Sequence, residues 1–245
     1  MIKNGMTMDN ELARIHLSVD CTVLGFDGSR LQVLLIRRTG VDQGREFHDM
    51  KLPGTLIMDN EELDDAARRV LGELTGLKNI PLMQFRAFGS IDRTKDPRDV
   101  HWVEQEHQAH VRRAVTIAYM AFVKIGRSII HDMEGTEALW VPVDALPPLA
   151  FDHNKIVAAA VATLRTVASM EPSSMYALLP RKFTVTQLRN LYDVVFGTRL
   201  DPANFYKKMT QMPYILALDE REKGVSHRAA RYYRFDKSIY NKTRL

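Results

Sequence analysis

The chain has a single cysteine, Cys21, in 245 residues. An intrachain disulfide framework is therefore excluded, the fold must rest on its core, and the reading favours a reducing, cytoplasmic setting. Cys21 lies in the apolar run SVDCTVLGF and reads as a buried strand residue. No stretch approaches the roughly 18 apolar residues of a membrane span, so no membrane partner is expected. The opening stretch MIKNGMTMDNELARIH lacks the apolar core of a secretory signal. A strong charge of either sign is also missing, since the net charge is +4 with 26% charged residues. The charge is unevenly placed, however. Residues 170–245 carry 14 Lys and Arg against 7 Asp and Glu, a net +7, while residues 1–169 sum to −3. A basic carboxy-terminal third on a mildly acidic body is the asymmetry of a domain that meets a polyanion.

The first part reads as strands and helices. Leu17–Phe26 and Leu31–Arg37 are apolar and β-branched around the turn Asp27-Gly28-Ser29, which predicts a hairpin. Glu61–Leu74 has helical spacing, with Asp59 and Asn60 as candidate caps and Gly76 as its stop. Further strands are expected at 83–89, 115–123 and 140–143, and a helix at 153–170. Residues 94–113 are polar and read as a long, solvated, mobile loop. His107 and His110 are spaced to share a helical turn, but no cysteine or fixed partner completes a metal site there. No metal and no cofactor is expected.

Residues 54–77, GTLIMDNEELDDAARRVLGELTGL, resemble the Nudix box G-x5-E-x7-R-E-U-x-E-E-x-G-U, where U is bulky and apolar. Glu61, Arg69, Leu71, Glu73, Gly76 and Leu77 keep the frame, whereas Thr55, Val70 and Leu74 replace a glycine and two carboxylates. Positions 70, 73 and 74 share one helical face. The resemblance makes that face the one that holds a divalent ion. A hard cation needs several charged oxygens, and Glu73 alone is a poor cage, so no catalytic residue is assigned. Glu61 and Glu62 lie about three turns before Glu73 and do not complete its face.

The end of the chain has a different signature. Thr184 and Gln187 have capping-box spacing. The helix to about Phe196 places Leu188, Leu191, Tyr192 and Val195 on one face, and Gly197 ends it. Asp201-Pro202 then opens a helix over about 203–212, with Phe205, Met209 and Met212 inward. Segments 215–219 and 231–235 form a hairpin with a basic tip holding Lys223, Ser226, His227, Arg228 and Arg231. Helix, helix, hairpin is the order of a winged helix-turn-helix. Asn204, Lys207, Lys208 and Gln211 are left outward, where such groups read base edges or phosphates. Arg228 and Arg231 on the wing, and Arg181 and Lys182 before the first helix, are the expected phosphate contacts.

Taken whole, the chain resembles the Nudix-related transcriptional regulators. The resemblance is carried by LPGTLIMDNEELDDAARRVLGELTGL, FGSIDR, FDHNKIVAAA and LLPRKFTVTQLRNLYDVVFGTRLDPANFYKKM. It implies an α+β chain with two parts. A Nudix-like α/β/α sandwich with a mixed sheet spans 1–170, and a winged helix spans 171–245, the junction falling at Glu171-Pro172-Ser173-Ser174. It further implies a homodimer on a double-stranded DNA operator. The eroded box is similar to that of the arabinose-responsive repressor branch of Bacteroides-type bacteria. That implies a repressor of pentose utilisation responding to a sugar, L-arabinose or D-xylose. Expected effector contacts are Asp20, Lys51, Thr55, Asp92, Arg93, Thr116, Asp152 and His153, with Val70 and Leu74 offering apolar surface to a neutral ligand. Two alternatives stand beside it: a regulator sensing ADP-ribose or NAD, and a Nudix hydrolase of a nucleoside diphosphate derivative.

Overall fold

The computed structural model describes residues 14–243 except 43, 109, 127, 128, 131, 132, 225 and 227. The stretch 1–13 and His227, both read above, lie outside these residues. Strand β1 (His16–Phe26) is buried over all but its first two residues, because both its faces are covered. This is why it reads as an apolar run and not as an alternation. It turns at Gly28 into β2 (Leu31–Asp42), the expected hairpin, which continues to β3 (Arg45–Lys51) and β4 (Gly54–Leu56). Helix α1 (Leu63–Thr75) follows, then β5 (Met83–Phe88), a 3-10 turn at Ile91–Thr94, and α2 (Pro97–His107). The part closes with β6 (Ala114–Lys124), β7 (Ala138–Pro142) and α3 (His153–Met170). The sheet order is β3-β2-β1-β6-β5, with β4 added to β1 and β7 to β2. Strands β1 and β6 are parallel and the other pairings antiparallel, so the sheet is mixed.

The period-2 alternation sorts the strand side chains to two layers. Val19, Cys21, Val23, Tyr119 and Val123 pack in one cluster with Ala66, Ala67, Val70 and Leu71 of α1. Leu24, Phe26, Val33, Ala118 and Met120 pack in the other with Ile156, Val157 and Leu164 of α3. That second cluster does not stop at the sheet. It runs on through a 3-10 helix at Pro172–Leu178 into α4 (Val185–Phe196) and α5 (Pro202–Met209). A short sheet of β8 (Phe183–Thr184), β9 (Ile215–Arg221) and β10 (Arg231–Phe235), in the order β8-β10-β9, and helix α6 (Lys237–Thr243) complete the winged helix. The Thr184–Gln187 capping box is formed, Asp201 caps α5, and Gly197 closes α4 with φ 64. The two parts are also tied by polar bonds. Arg165 Nε donates to the Val195 carbonyl at 2.9 Å, and Asn190 Nδ2 to the Gly28 carbonyl at 3.1 Å.

Two local expectations fail. The cap of α1 is Glu62, without a side-chain bond, and not Asp59 or Asn60. Glu61 instead accepts from the Met58 amide and from Arg69, which draws the chain into the helix. Residues 94–113 are not a structureless loop, since α2 occupies most of them. Asp96 caps it and Pro97 opens its first turn.

Candidate functional site

The box helix does not fit a divalent cation. Val70 is fully buried in the α1 cluster, and Leu74 packs against the same cluster. Val70 therefore stabilises the sheet–helix layer, at roughly 1.5–3 kcal/mol for a fully buried aliphatic side chain, and half-buried Leu74 packs at the edge of that layer, away from the cleft. This corrects the expectation that they line the effector site. Glu61 and Glu73 are both held by Arg69, at 2.6 and 3.1 Å. Glu73 is 59% exposed on the outer side of the helix.

The cleft lies on the opposite layer, at the edge where α2 covers β1, β3 and β4. Its construction begins with Gly54. In the pairing of β4 to β1, Gly54 stands opposite Asp20, and a β-carbon there would sit 1.9 Å from Asp20 Oδ1. Only glycine permits that approach. Asp20 is buried and accepts from Arg93 Nη2 at 2.6 Å, while Arg93 Nη1 is bonded to Asp152. His153 Nδ1 accepts the Leu52 amide at 2.9 Å, so the ring proton sits on Nε2, 3.4 Å from Asp20 Oδ1. Burial pushes the Asp20 carboxyl up, but the field of the Arg93 guanidinium and the hydrogen-bond donors around the carboxylate outweigh it. The net effect holds its pKa well below the carboxylate range.

Lys51 and the carboxylate of Glu106 both line this cleft, but Lys51 makes no ion pair among the described residues. It is 3% exposed and donates to the Gly54 carbonyl at 2.7 Å. Its ammonium lies 4.5 Å from the centroid of the Trp102 ring. Burial pulls its pKa below the ordinary lysine value, against the fields of Glu106 and Asp20. Helix α2 closes the cleft through Val100, Trp102, Val103 and His107. It is anchored by buried Asp99, which pairs with Arg38 at 2.7 Å and accepts the Phe151 amide at 2.7 Å. Phe151 is held at φ 54, a left-handed backbone unusual for a bulky residue. At the other end of α2, His107 Nε2 is 2.7 Å from Thr55 Oγ1. About 490 Å³ of space, counting what is open to solvent at the mouth, lies between these walls.

Of the residues named from sequence, Asp20, Lys51, Thr55, Arg93 and His153 line this cleft. Asp152 reaches it through Arg93 and makes no cap bond to α3. Thr116 is fully buried and donates to the Ser18 carbonyl at 3.2 Å, behind the wall. Asp92 is misplaced: it points outward, 63% exposed, 3.6 Å from Lys95. Trp102, Phe151 and His107 were missed. Asp96-Pro97 followed by Val100 and Val103 was the available signal for α2. His107 and His110 do not converge, as His110 bonds Glu104 at 2.7 Å.

On the winged helix, Asn204, Lys207, Lys208 and Gln211 are exposed on and just after α5, while Phe205 and Met209 are buried beneath. Arg181, Lys182, Arg228 and Arg231 are exposed as well. Lys182 and Arg231 are ion-paired to Glu220 and Asp219.

The NUDIX domain family matches residues 14–160, and the NrtR DNA-binding winged helix domain matches residues 175–235. The ADPR responsive transcriptional repressor NtrR of Acinetobacter baylyi is 30% identical over 233 residues, which cover 92% of this chain and 84% of that protein. Shewanella oneidensis NrtR complexed with a 27mer DNA superposes with a TM-score of 0.64 at 22% identity, covering 90% of this chain and 93% of that one. A MutT/nudix family protein from Enterococcus faecalis gives 0.60 at 24% identity, covering 92% and 88%. At those identities the structural likeness shows the fold alone. The chain belongs to the NUDIX family, in the NrtR-type group that joins a Nudix domain to a winged helix. The narrower resemblance to an arabinose-responsive branch finds no support in these relatives.

Proposed function

We propose that this chain is a DNA-binding transcriptional repressor whose Nudix domain binds an ADP-ribose-type ligand without hydrolysing it. The observation that carries the ligand is Lys51. A buried ammonium with no carboxylate in ion-pair contact, and only the more distant fields of Glu106 and Asp20, loses hydration and gains little in return. A neutral pentose leaves that charge uncompensated, whereas a pyrophosphate supplies the missing anion. The printed name of the Acinetobacter relative, ADPR responsive, points the same way. L-Arabinose and D-xylose, the effectors expected from sequence, lack such an anion and do not match that relative's ligand. The box supports the lack of hydrolysis, since Val70 is buried in the core, Leu74 packs against it and Glu73 faces outward on Arg69.

The cover gives the ligand a conformational role. A ligand seated on Lys51 lies beneath α2 and against Trp102, so binding is coupled to rearrangement of the cover. The winged helix shares a continuous core with the sheet. The rearrangement then acts by changing how a homodimer presents its two winged helices to half-sites one helical turn apart.

Thermal denaturation with ADP-ribose, L-arabinose and D-xylose tests the ligand. At a ligand concentration of about 100 times Kd, linkage adds about 2.7 kcal/mol. For a chain of this size that raises Tm by roughly 5–10 °C. ADP-ribose should give this shift and weaken binding to operator DNA. Neither pentose should do so, and magnesium should not elicit turnover. A pentose shift without an ADP-ribose shift, or steady hydrolysis of ADP-ribose, defeats the reading.

A further inference from the structure

The wing supplies its own counter-charges. Lys182, just before β8, holds its ammonium 2.6 and 2.5 Å from the two carboxylate oxygens of Glu220 on β9. Arg231, at the start of β10, reaches Asp219 through Nη2 at 2.8 Å and the Leu218 carbonyl through Nε at 2.7 Å. The four side chains are solvent-exposed, at 50% and 55% for the first pair and 42% and 102% for the second. Exposed pairs of this kind add little to stability, so holding the fold together does not account for them. Lys182 and Arg231 are two of the four exposed cations, with Arg181 and Arg228, that the DNA-binding reading assigns to the phosphate backbone. Lys207 and Arg228, by contrast, meet no carboxylate among the described residues.

We infer that Asp219 and Glu220 compete with DNA phosphate for Arg231 and Lys182 and so set the affinity of the wing for the DNA backbone. The inference rests on the DNA-binding reading above. The mechanism is an exchange of partners. A phosphate oxygen must displace the carboxylate from the guanidinium or ammonium, and the released carboxylate then lies beside a polyanion and repels it. On unrelated DNA, where no base contact holds the wing in place, the two pairs stay closed and the wing contributes few phosphate contacts. Because phosphate contacts carry no sequence information, this restrains the sequence-independent part of binding. The chain thus keeps a basic winged helix without adhering to every duplex.

The test is fluorescence anisotropy of the full chain on an unrelated 30-base-pair duplex over a series of salt concentrations. It compares the wild type with Asp219→Asn, Glu220→Gln and the double variant. Asp65→Asn serves as the control, since it removes the same charge from an exposed pair with Arg68 on α1. Each wing variant should bind about three- to tenfold tighter near 0.1 M salt. Each should also steepen the plot of log affinity against log salt by about one, the counterion release of one newly engaged cation. Asp65→Asn should change neither. Unchanged or weaker binding by the double variant overturns the inference. So does an equal gain in Asp65→Asn, which would reduce the effect to net charge. Wild type that binds no duplex at the lowest salt removes the DNA-binding reading itself, and this inference with it.

Discussion

Lys51 and Trp102 face each other across the cleft, the ammonium 4.5 Å from the ring centroid. One comes from the end of β3 and the other from α2. A desolvated cation–π contact contributes about 2 kcal/mol, less than the several kcal/mol that burying an ammonium costs. Lys51 is therefore kept at the expense of stability, as expected of a group that waits for an anion.

The Lys51→Met variant should be more stable than wild type at neutral pH, by about 1–2 kcal/mol, and should lose its response to ADP-ribose. The sign of the pH dependence follows from the lowered pKa of a base. The penalty of the charged form is full below the folded pKa and is relieved as pH rises through that value toward the ordinary lysine value of 10.5. The advantage of Lys51→Met should thus shrink between pH 7 and pH 10. Urea denaturation at the two pH values measures it, and tyrosine ionisation cancels in the difference. A less stable variant would show that Lys51 is a structural cation.

Asp20→Asn should destabilise by about 3–5 kcal/mol at neutral pH, because Arg93 keeps only Asp152 in a buried place. The Asp20 pKa is depressed, so its contribution is fully present above the ordinary aspartate value of 3.8 and is lost as pH falls through the folded value. The stability gap between wild type and Asp20→Asn should stay level above about pH 5 and narrow in stronger acid. A gap independent of pH would place the effect in packing and not in charge.

Gly54→Ala puts a β-carbon 1.9 Å from Asp20 Oδ1 and 2.8 Å from the Val19 carbonyl. Backbone must shift on at least one side, which costs on the order of 2–3 kcal/mol and opens the cleft wall between β4 and β1. Denaturation midpoints give the loss. A double-mutant cycle with Asp20→Ala should show non-additivity of about 1 kcal/mol or more, since the two side chains collide directly.

On α5, Lys207→Ala and Lys208→Ala should each weaken binding to all duplexes alike and lower the salt slope by about one. Asn204→Ala and Gln211→Ala should leave the slope intact and relax sequence preference, each bidentate base contact being worth about 1–3 kcal/mol. Anisotropy on selected and scrambled duplexes separates the two behaviours. Equal loss on both duplexes in Asn204→Ala and Gln211→Ala would mean that α5 positions the protein without reading bases.

Most of the elements were legible because their signals are local. The β1–β2 hairpin shows in β-branched runs around Asp27-Gly28-Ser29. Helix α3 shows over 153–170, and α4 and α5 show in their caps and stops. Helix α2 was obscured because its composition is polar. Its apolar residues Val100, Trp102 and Val103 face a cleft instead of the main core, so their stripe is narrow. Strands β3 and β4 were hidden for a related reason, since REFHDMK and GTL are short or half-exposed and their pairing to β2 and β1 is what makes them strands.

The sequence by itself determined the local conformations, the eroded box and the charge split between the halves, because each depends on neighbours within a few residues or on composition. The tertiary structure decided which groups share a site. Asp20, Lys51, Arg93 and His153 are far apart in the chain and meet only through the β1–β4 pairing, the 3-10 turn after β5 and the start of α3. It also decided that Val70 belongs to the core and that Leu74 packs against it, since helical spacing gives a face but not what lies against it. Most of all, it left Lys51 buried without an ion pair among the described residues. Whether a buried lysine has a carboxylate beside it depends on long-range packing that no pattern along the chain records, and that relationship turns the reading from a sugar toward an anion.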